Sequence, residues 1–446
     1  MTAPSTGSLS LQFVNNTGLP DSSVFITFQN PALGSNNLTV TYGQDQAAVP
    51  FAAQGNIMST SLSLQAIGSG GFTVTKASGV VIFVSYGAAL TSTTSVPSFI
   101  GSGGSDYLTQ FQPFELTRTG GSGDQGNMTN INYFTAPMQI SSYNGGASGT
   151  LLESRGFTQT ASAIGALLGP LSGNSSSAVI TNGSGGSVIR YVGPSSYGPA
   201  DANPYPSFSA YLTAINAAGQ ITAISNNNAF NVPPTAGVGS TNYNFTLNLG
   251  ATVGSDNSIH LNGSISTTII PYGGTATAGQ TFDDCSVTIS AADANALNFT
   301  IYGQAISGAV SFGSGWTALG NYMESVGLSA QGALATTQNL AIGEITTGLL
   351  GGFVNSATIP AGQTQAIGNL PSSTWWKLNP TVAFSDIQTN NAYYNQYANV
   401  IYKASGNQAY SIPYSDRLGS GPLINSVQYN GTSVDTWVVT LSPAVS

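Results

Sequence analysis

Along the first third of the chain, apolar positions recur with the two-residue period of strands. Leu9, Leu11 and Phe13 interleave with Ser10 and Gln12 before Asn15-Asn16-Thr17-Gly18 turns the chain. Val24 to Phe28 and Gly79 to Tyr86 are further β-branched and aromatic runs, bounded by Gly, Asn and Pro clusters. That combination is a strand signature. Strands this dense, without intervening helices, predict a sandwich or barrel from Ser8 to about Ile140. The character changes near Ser148. Apolar residues at 151, 152, 157, 161, 164, 167 and 168 predict a helix from Leu151 to Leu168. A second helix is expected from Ser207 to Ala218, after Pro204 and Pro206, with Phe208, Tyr211, Leu212 and Ile215 on one face. A third spans about Met323 to Leu350, interrupted by Gly327, Gly332 and Gly343. Tyr243 to Leu249 and Ser286 to Ile289 read as strands between them, and Asn391 to Ser446 returns to pure β character. The expectation is a β domain built from residues 1–150 and 375–446, with a mixed α/β domain, 151–374, inserted between. No repeat with a fixed period of about 20–50 residues is evident, which argues against a solenoid or propeller.

Composition narrows the function classes. Only 5% of the 446 residues are charged, against about 25% in ordinary domains. Seven Lys and Arg face sixteen Asp and Glu, so no cationic track exists to neutralise phosphates, and nucleic acid is excluded as a partner. Cys285 is the only cysteine, which rules out a disulfide scaffold and a thiolate metal cluster. No apolar run is long enough to span a membrane as a helix. Met1 to Thr6 lacks a basic region followed by an apolar core, so no signal peptide is read in the chain.

Ionisable candidates are correspondingly few. His260, the only histidine, would have to serve any Ser-His-Asp triad. It sits in a strand-turn context without a Gly-x-Ser-x-Gly elbow, and reads first as a satisfied structural residue. A single His excludes a His-based metal site, and Asp283-Asp284 is a weak carboxylate Ca²⁺ candidate. The same acidic pair precedes Cys285 and makes it a poor nucleophile. Glutamate occurs only at 115, 153, 324 and 344, the last three in predicted helices. Glu115 differs, lying inside the strand-like Phe111-Gln-Pro-Phe-Glu-Leu-Thr117. Burying a carboxylate there needs a reason. Two readings stand level: a structural partner such as Arg118 or a neighbouring amide, or a general acid with a raised pKa. After a loop from Thr119 to Thr129, Asn130 to Ile140 reads as the next strand. Pairing the two as a hairpin would set Asn132 opposite Glu115. That layout suits glycoside inversion, in which two carboxylates stand roughly 6.5–9.5 Å apart.

The Phe-Glu-Leu-Thr segment followed by Asn-Ile-Asn-Tyr-Phe-Thr-Ala-Pro-Met resembles the acid and base strands of glycoside hydrolase family 64, the thaumatin-like β-1,3-glucanases. Asn395 to Gly419, containing Tyr410-Ser-Ile-Pro-Tyr-Ser-Asp416, is similar to that family's closing segment. Gly327 to Ile345 is similar to its Ala-rich helix, and Asp283 to Cys285, more loosely, to its Asp-x-Phe-x-Cys region. The resemblance runs in order from Gln12 to the end of the chain. It implies a mainly β fold with an α/β part: a thaumatin-like β-barrel or sandwich domain plus a mixed α/β domain, flanking a wide cleft for β-1,3-glucan. It implies Glu115 as general acid, with Thr117, Tyr133, Tyr410, Tyr414 and Asp416 as sugar-contacting positions. It calls for no cofactor or metal and implies an extracellular or cell-surface location.

The position matching the family's base Asp is Asn132, and Ser415 replaces the first Asp of the closing pair. An amide holds a water but cannot take its proton, and losing a general base removes a factor of about 10²–10⁴ in rate. Three functions are therefore carried forward. The first is a glucan-recognising protein with weak or no hydrolysis. The second is an active inverting endo-β-1,3-glucanase using a displaced base, Asp124 or Asp416. The third is a non-catalytic structural protein that assembles into a homo-oligomer, surface layer or fibre, because charges that normally guard sheet edges are scarce. Trp375-Trp376 is a further pair that reads first as core and second as a sugar platform.

Overall fold

A computed structural model describes residues 7–30, 37–51, 57–183, 186–198, 201–232, 239–296, 310–354, 367–375, 383–413 and 421–446. By its internal contacts the chain forms two units. The first takes in Met1–Ser196, Val400–Ser411 and Ser420–Ser446, and the second Tyr197–Asn399 and Ile412–Gly419. Among the described residues no helix is long and apolar enough to cross a membrane.

Among the described residues the first unit is built on a 12-stranded sheet. Its early strands are β1 (Leu9–Asn15), β2 (Val24–Gln29) and β3 (Leu38–Tyr42). The short helix α1 (Leu64–Ile67) precedes the long β4 (Phe72–Tyr86), and β5 (Gln110–Arg118) and β6 (Gln125–Met128) follow. Next come β7 (Met138–Asn144) and β8 (Thr150–Gly156). The closing strand, Thr436–Leu441, lies between β7 and β1, antiparallel to the former and parallel to the latter. Alternation sets which side chains are buried: Leu9, Leu11, Trp437, Val439, Leu441 and Ile140 are all fully buried, whereas Val14 is exposed. Strand β4 is shared by β1, β2, β3 and β5, and its register with β5 shifts between Ala77 and Val80. Gly79 sits in that shift at φ 60°, a conformation open to glycine without a side-chain penalty.

Three first-unit expectations are corrected. The segment from Leu151 is a strand up to Gly156, paired with β7, and only Ala161–Leu168 (α2) is helical. The helix starts where Thr160 Oγ1 accepts from the Ala163 amide, at 3.3 Å. Glu153 is therefore a strand residue, paired with Arg155 at 3.1 Å and bonded to Asn425. The expected strand from Asn130 to Ile140 is broken: a bend at Ile131–Asn132 precedes the two-residue strand Tyr133–Phe134, and regular pairing resumes at Met138.

Among the described residues the second unit has a 7-stranded sheet and helices packed on it. Helix α3 (Ser209–Ala217) falls where Tyr211, Leu212 and Ile215 predicted it, and these side chains are buried. Strands β9 (Asn227–Val232), β10 (Thr241–Val253), β11 (Ile259–Ile270) and β12 (Thr277–Phe282) run antiparallel in space in that order. The expected third long helix is two: α4 (Ser314–Ser325) and α5 (Ala335–Leu350). Gly327, at φ 86°, breaks the first, and a π-helical turn at Ala330–Leu334 leads into the second. Helix α5 is buried from Leu340 to Leu350, Glu344 included, whose Oε1 accepts from Asn226 Nδ2 at 2.8 Å.

The reading of 391–446 as pure β is also corrected, because Gln396–Ser405 is helical. Asn395 Oδ1 accepts from the Ala398 amide at 3.0 Å, and Tyr397, Ile401 and Ser405 repeat on its buried face. Its Tyr, Val and Ile content mimics a strand, while the Asn395 cap and the four-residue spacing mark the helix.

Candidate active site

Glu115 stands on β5, where alternation turns Phe114 and Leu116 into the core and leaves Glu115 and Thr117 half-buried. Its cross-strand neighbours are Val81 on β4 and Asn127 on β6. The expected partner across the hairpin is thus corrected: Asn127, not Asn132, lies opposite the acid. The reason is the turn. Asp124 is 8% exposed and folds back to accept from the amides of Thr119, Gly120 (2.8 Å) and Gly121 (3.1 Å) and from Thr119 Oγ1 (3.0 Å). This tight turn returns the chain to pairing by Gln125, well before Asn132. Gly126 is required beside it, since a Cβ there would lie 2.1 Å from the Glu115 carbonyl oxygen and 2.6 Å from the Trp437 ring.

Asn127 Nδ2 donates to Glu115 Oε2 at 3.0 Å. Burial raises the Glu115 carboxyl above its ordinary value of 4.5, and the Asn127 hydrogen bond partly offsets this by favouring the anion. No cation or second carboxylate is its cross-strand partner. Glu115 is therefore set to hold its proton to higher pH than a free carboxyl, as a general acid must. Asn127 itself is buried, and its Oδ1 has no hydrogen-bond partner among the described residues. It is the site residue that sequence reasoning missed.

The raised carboxyl has a consequence for stability. The folded state holds the proton more tightly than the unfolded chain, so Glu115 favours folding below about pH 4.5 and loses that contribution as pH rises through the folded pKa. Relative to Glu115→Gln, the wild-type Tm is expected to fall as pH is raised from 3.5 toward 7. Thermal denaturation across that range checks this, and parallel Tm curves for the two proteins would refute it.

The remaining expected positions fall into three groups. Asn132 is exposed, and its carbonyl is fixed by the Gly193 amide and Ser196 Oγ, both at 2.7 Å. Thr117 is half-buried, and its hydroxyl accepts from the Gly79 amide at 3.1 Å, bracing the β4 irregularity. Tyr133 and Tyr410, expected at the sugar, are instead 5% and 6% exposed. The Tyr133 ring stacks on Phe99 (4.9 Å) and meets Phe111 edge-on (5.5 Å). Arg190 lies over Phe111 at 4.2 Å, gives its guanidinium to the carbonyls of Ser98 and Thr109, and is pushed down to about 10 by burial. Tyr410 belongs to the backbone brace, bonding Met128 O and Asn130 N. Gln112, on β5, fixes the same segment by accepting from the Thr135 amide at 2.8 Å and donating to Thr129 O at 3.1 Å. Tyr414, Ser415 and Asp416 lie outside the described residues, as does Trp376. Trp375 is core, stacked on Phe353 at 5.6 Å.

Elsewhere the ionisable candidates are structural. His260 Nε2 meets Ser258 Oγ at 2.8 Å, but Asp256 binds that serine (2.5 Å) and His260 Nδ1 faces Thr288 Oγ1. The carboxylate thus holds the hydroxyl, not the imidazole, which is the wrong order for a triad. Cys285 is buried, and burial, with the charges of Asp284 and Asp283, pushes its thiol up to about 11. Asp284 caps α4 through Ser314, and among the described residues no three acidic, His or Cys side chains are placed to hold a metal.

No protein-family model and no curated protein sequence matches the chain. Solved structures do. A laminaripentaose-producing β-1,3-glucanase in complex with laminaritetraose is similar at 16% identity and a TM-score of 0.53, over 98% of this chain and 99% of that one. A β-1,3-glucanase domain of glycoside hydrolase family 64 from Clostridium beijerinckii is similar at 12% identity and a TM-score of 0.49, over 99% and 100%. Together with the strand order and the two-unit division, the first likeness settles the architecture: the chain is mainly β with an α/β part and has a glycoside hydrolase family 64-like fold.

Proposed function

We propose that the chain recognises β-1,3-glucan-type polysaccharide at the Glu115 face and hydrolyses it weakly or not at all. The observation that carries this is the setting of Glu115, a half-buried carboxyl raised by burial and partnered, among the described residues, by a neutral amide across the strand. Such a group can give a proton to a glycosidic oxygen. Inversion also needs a second carboxylate to activate water on the far side of the ring. By the resemblance, the position of that carboxylate is Asn132, an amide, which orients a water without accepting its proton. Asp124 does not replace it, because its oxygens are committed to its own turn. Sugar contact is assigned to the half-buried Glu115 and Thr117 and the exposed Asn132, not to the buried Tyr133 and Tyr410. The laminaritetraose held by the similar glucanase supports a β-1,3-gluco-oligosaccharide as ligand class. The same resemblance supports an extracellular or cell-surface setting.

The test is incubation with laminarin, measuring binding and released reducing ends separately. Retained binding with little or no release above the spontaneous rate is expected. Robust turnover that disappears in Glu115→Gln would overturn the reading in favour of an active hydrolase with its base elsewhere.

Assembly is a second reading, favoured by two strand edges. Among the described residues β9 pairs only with β10 and β12 only with β11, and neither edge strand carries a charge. The first five positions of β12, Thr277 to Thr281, are exposed. Unguarded edges of this kind template pairing between chains. Concentration-dependent light scattering that is suppressed by Gln280→Lys is expected if copies join through β12. A particle size that stays monomeric at every concentration would remove this reading.

A further inference from the structure

We infer that the first unit carries a second site for a neutral oligosaccharide, in a cavity of about 530 Å³ bounded by β1, the turn at Asp21 and α1. That volume lies in the range of ordinary small-ligand pockets, about 300–1,000 Å³. Among the described residues the lining holds no Lys or Arg that would attract a phosphate or other anion. Beside Asn15, which belongs to the wall, its polar side chains are Gln12, Gln65, Ser69 and the carboxylate of Asp21, a mixture of donors and acceptors suited to hydroxyls.

The wall is fixed before any ligand arrives. Asn15 Nδ2 donates to Asp21 Oδ1 (2.7 Å) and to Leu19 O (2.9 Å), while its Oδ1 accepts from Thr17 Oγ1 (2.6 Å) and the Thr17 amide (3.1 Å). Asp21 is thereby oriented, and its Oδ2 takes no protein donor among the described residues. Phe13 supplies the apolar surface on which a pyranose ring packs. Its ring is half-exposed and held against Phe72 at 6.1 Å with an interplanar angle of 83°. Gln65 is exposed at the rim. An aromatic ring flanked by neutral amides and one carboxylate, with no cation, is the chemistry of sugar recognition.

The cavity is separate from the Glu115 face. It reaches Gly71, just before β4 begins, whereas Glu115 pairs with Val81 on the same strand. At about 3.3 Å per residue, roughly 30 Å of strand lies between them. A polysaccharide long enough to reach both would be held at two points, which raises its apparent affinity without any new contact. The ligand class, a neutral oligosaccharide, stands on the cavity's own chemistry; its identity as a β-1,3-glucan segment rests on the function proposed above.

The test follows the amide resonances of Gly68 and Ser69 at the cavity and of Asn127 at the Glu115 face. The full chain is titrated separately with laminarihexaose, cellohexaose and mannohexaose. Laminarihexaose is expected to shift Gly68 and Ser69 saturably, with that affinity weakened about threefold to tenfold in Phe13→Ala and Gln65→Ala and unchanged in Glu115→Gln. Gln65 is exposed, so its variant decides the matter even where Phe13→Ala fails to fold. Shifts at Gly68 with any of the three sugars, but none at Asn127, would uphold the cavity and sink the function proposed above. No saturable shift at Gly68 or Ser69 with any of them, or affinity untouched by Gln65→Ala and Phe13→Ala, would overturn the cavity site.

Discussion

Laminarin hydrolysis is expected to rise by about 10²–10⁴-fold when Asn132 is changed to Asp, the range that a general base supplies. The substitution changes one atom group and almost no volume. The Asn132 carbonyl is anchored to Gly193 and Ser196, so the backbone has no cause to move. The side chain is exposed, so the new carboxylate is hydrated and ionises at little cost. On the function proposed above, Glu115 then has a partner to share the reaction: it would protonate the departing oxygen while Asp at 132 would take a proton from water. Adding Glu115→Gln to Asn132→Asp is expected to return the rate to background. Product stereochemistry gives an independent reading, since inversion of a β-linkage releases the α-anomer first. A variant that binds laminarin as the wild type does, yet remains silent, would show that position 132 does not stand at the water.

The second large effect concerns stability. Trp437→Ala is expected to cost about 3–5 kcal/mol, the usual range for emptying a large buried aromatic site. For a unit of this size that lowers Tm by roughly 6–20 °C. Trp437 is fully buried near the start of the closing strand, in register with Leu11 on one side and Ser142 on the other. Its indole N–H donates to Asn425 O at 2.9 Å, and its ring fills the space that Gly126 leaves open. Trp437→Phe keeps part of the volume and loses the hydrogen bond, so a smaller loss is expected. Thermal denaturation monitored by circular dichroism checks both, and a Tm within 2 °C of wild type for the Ala variant would contradict the role given to this ring.

Much of the fold is legible in the sequence because burial follows period. The Leu9-Leu11-Phe13 alternation, the Val80 to Tyr86 run and the Tyr211-Leu212-Ile215 face each mark an element that the structure contains. The misses share a cause. Leu151 to Arg155 has helix-compatible spacing, but pairing with β7 outweighs local preference. Gln125 to Met128 carries Gly and Asn, poor strand formers, and reads as loop. It pairs nevertheless, because Asp124 closes a tight turn and Trp437 needs a neighbour without a side chain at 126. Glu115 was visible as an acid in an apolar strand. Its neighbour Asn127 was not, because one side chain in the turn sets the register and no period reports it.

The place of the closing strand also fixes a timetable. Trp437 must slot between residues near position 11 and position 142, so β1 and β7 lack their shared neighbour until the long stretch from β1 to the closing strand has been made. At about 5–20 residues per second, β1 waits roughly 20–90 s after leaving the ribosome. During that interval two bare strand borders, poor in the charges that keep nascent chains apart, stand open to the wrong partner. Chaperone dependence, and a yield that falls with expression rate, are the expected cellular cost of a sheet whose keystone is made so long after its first strand.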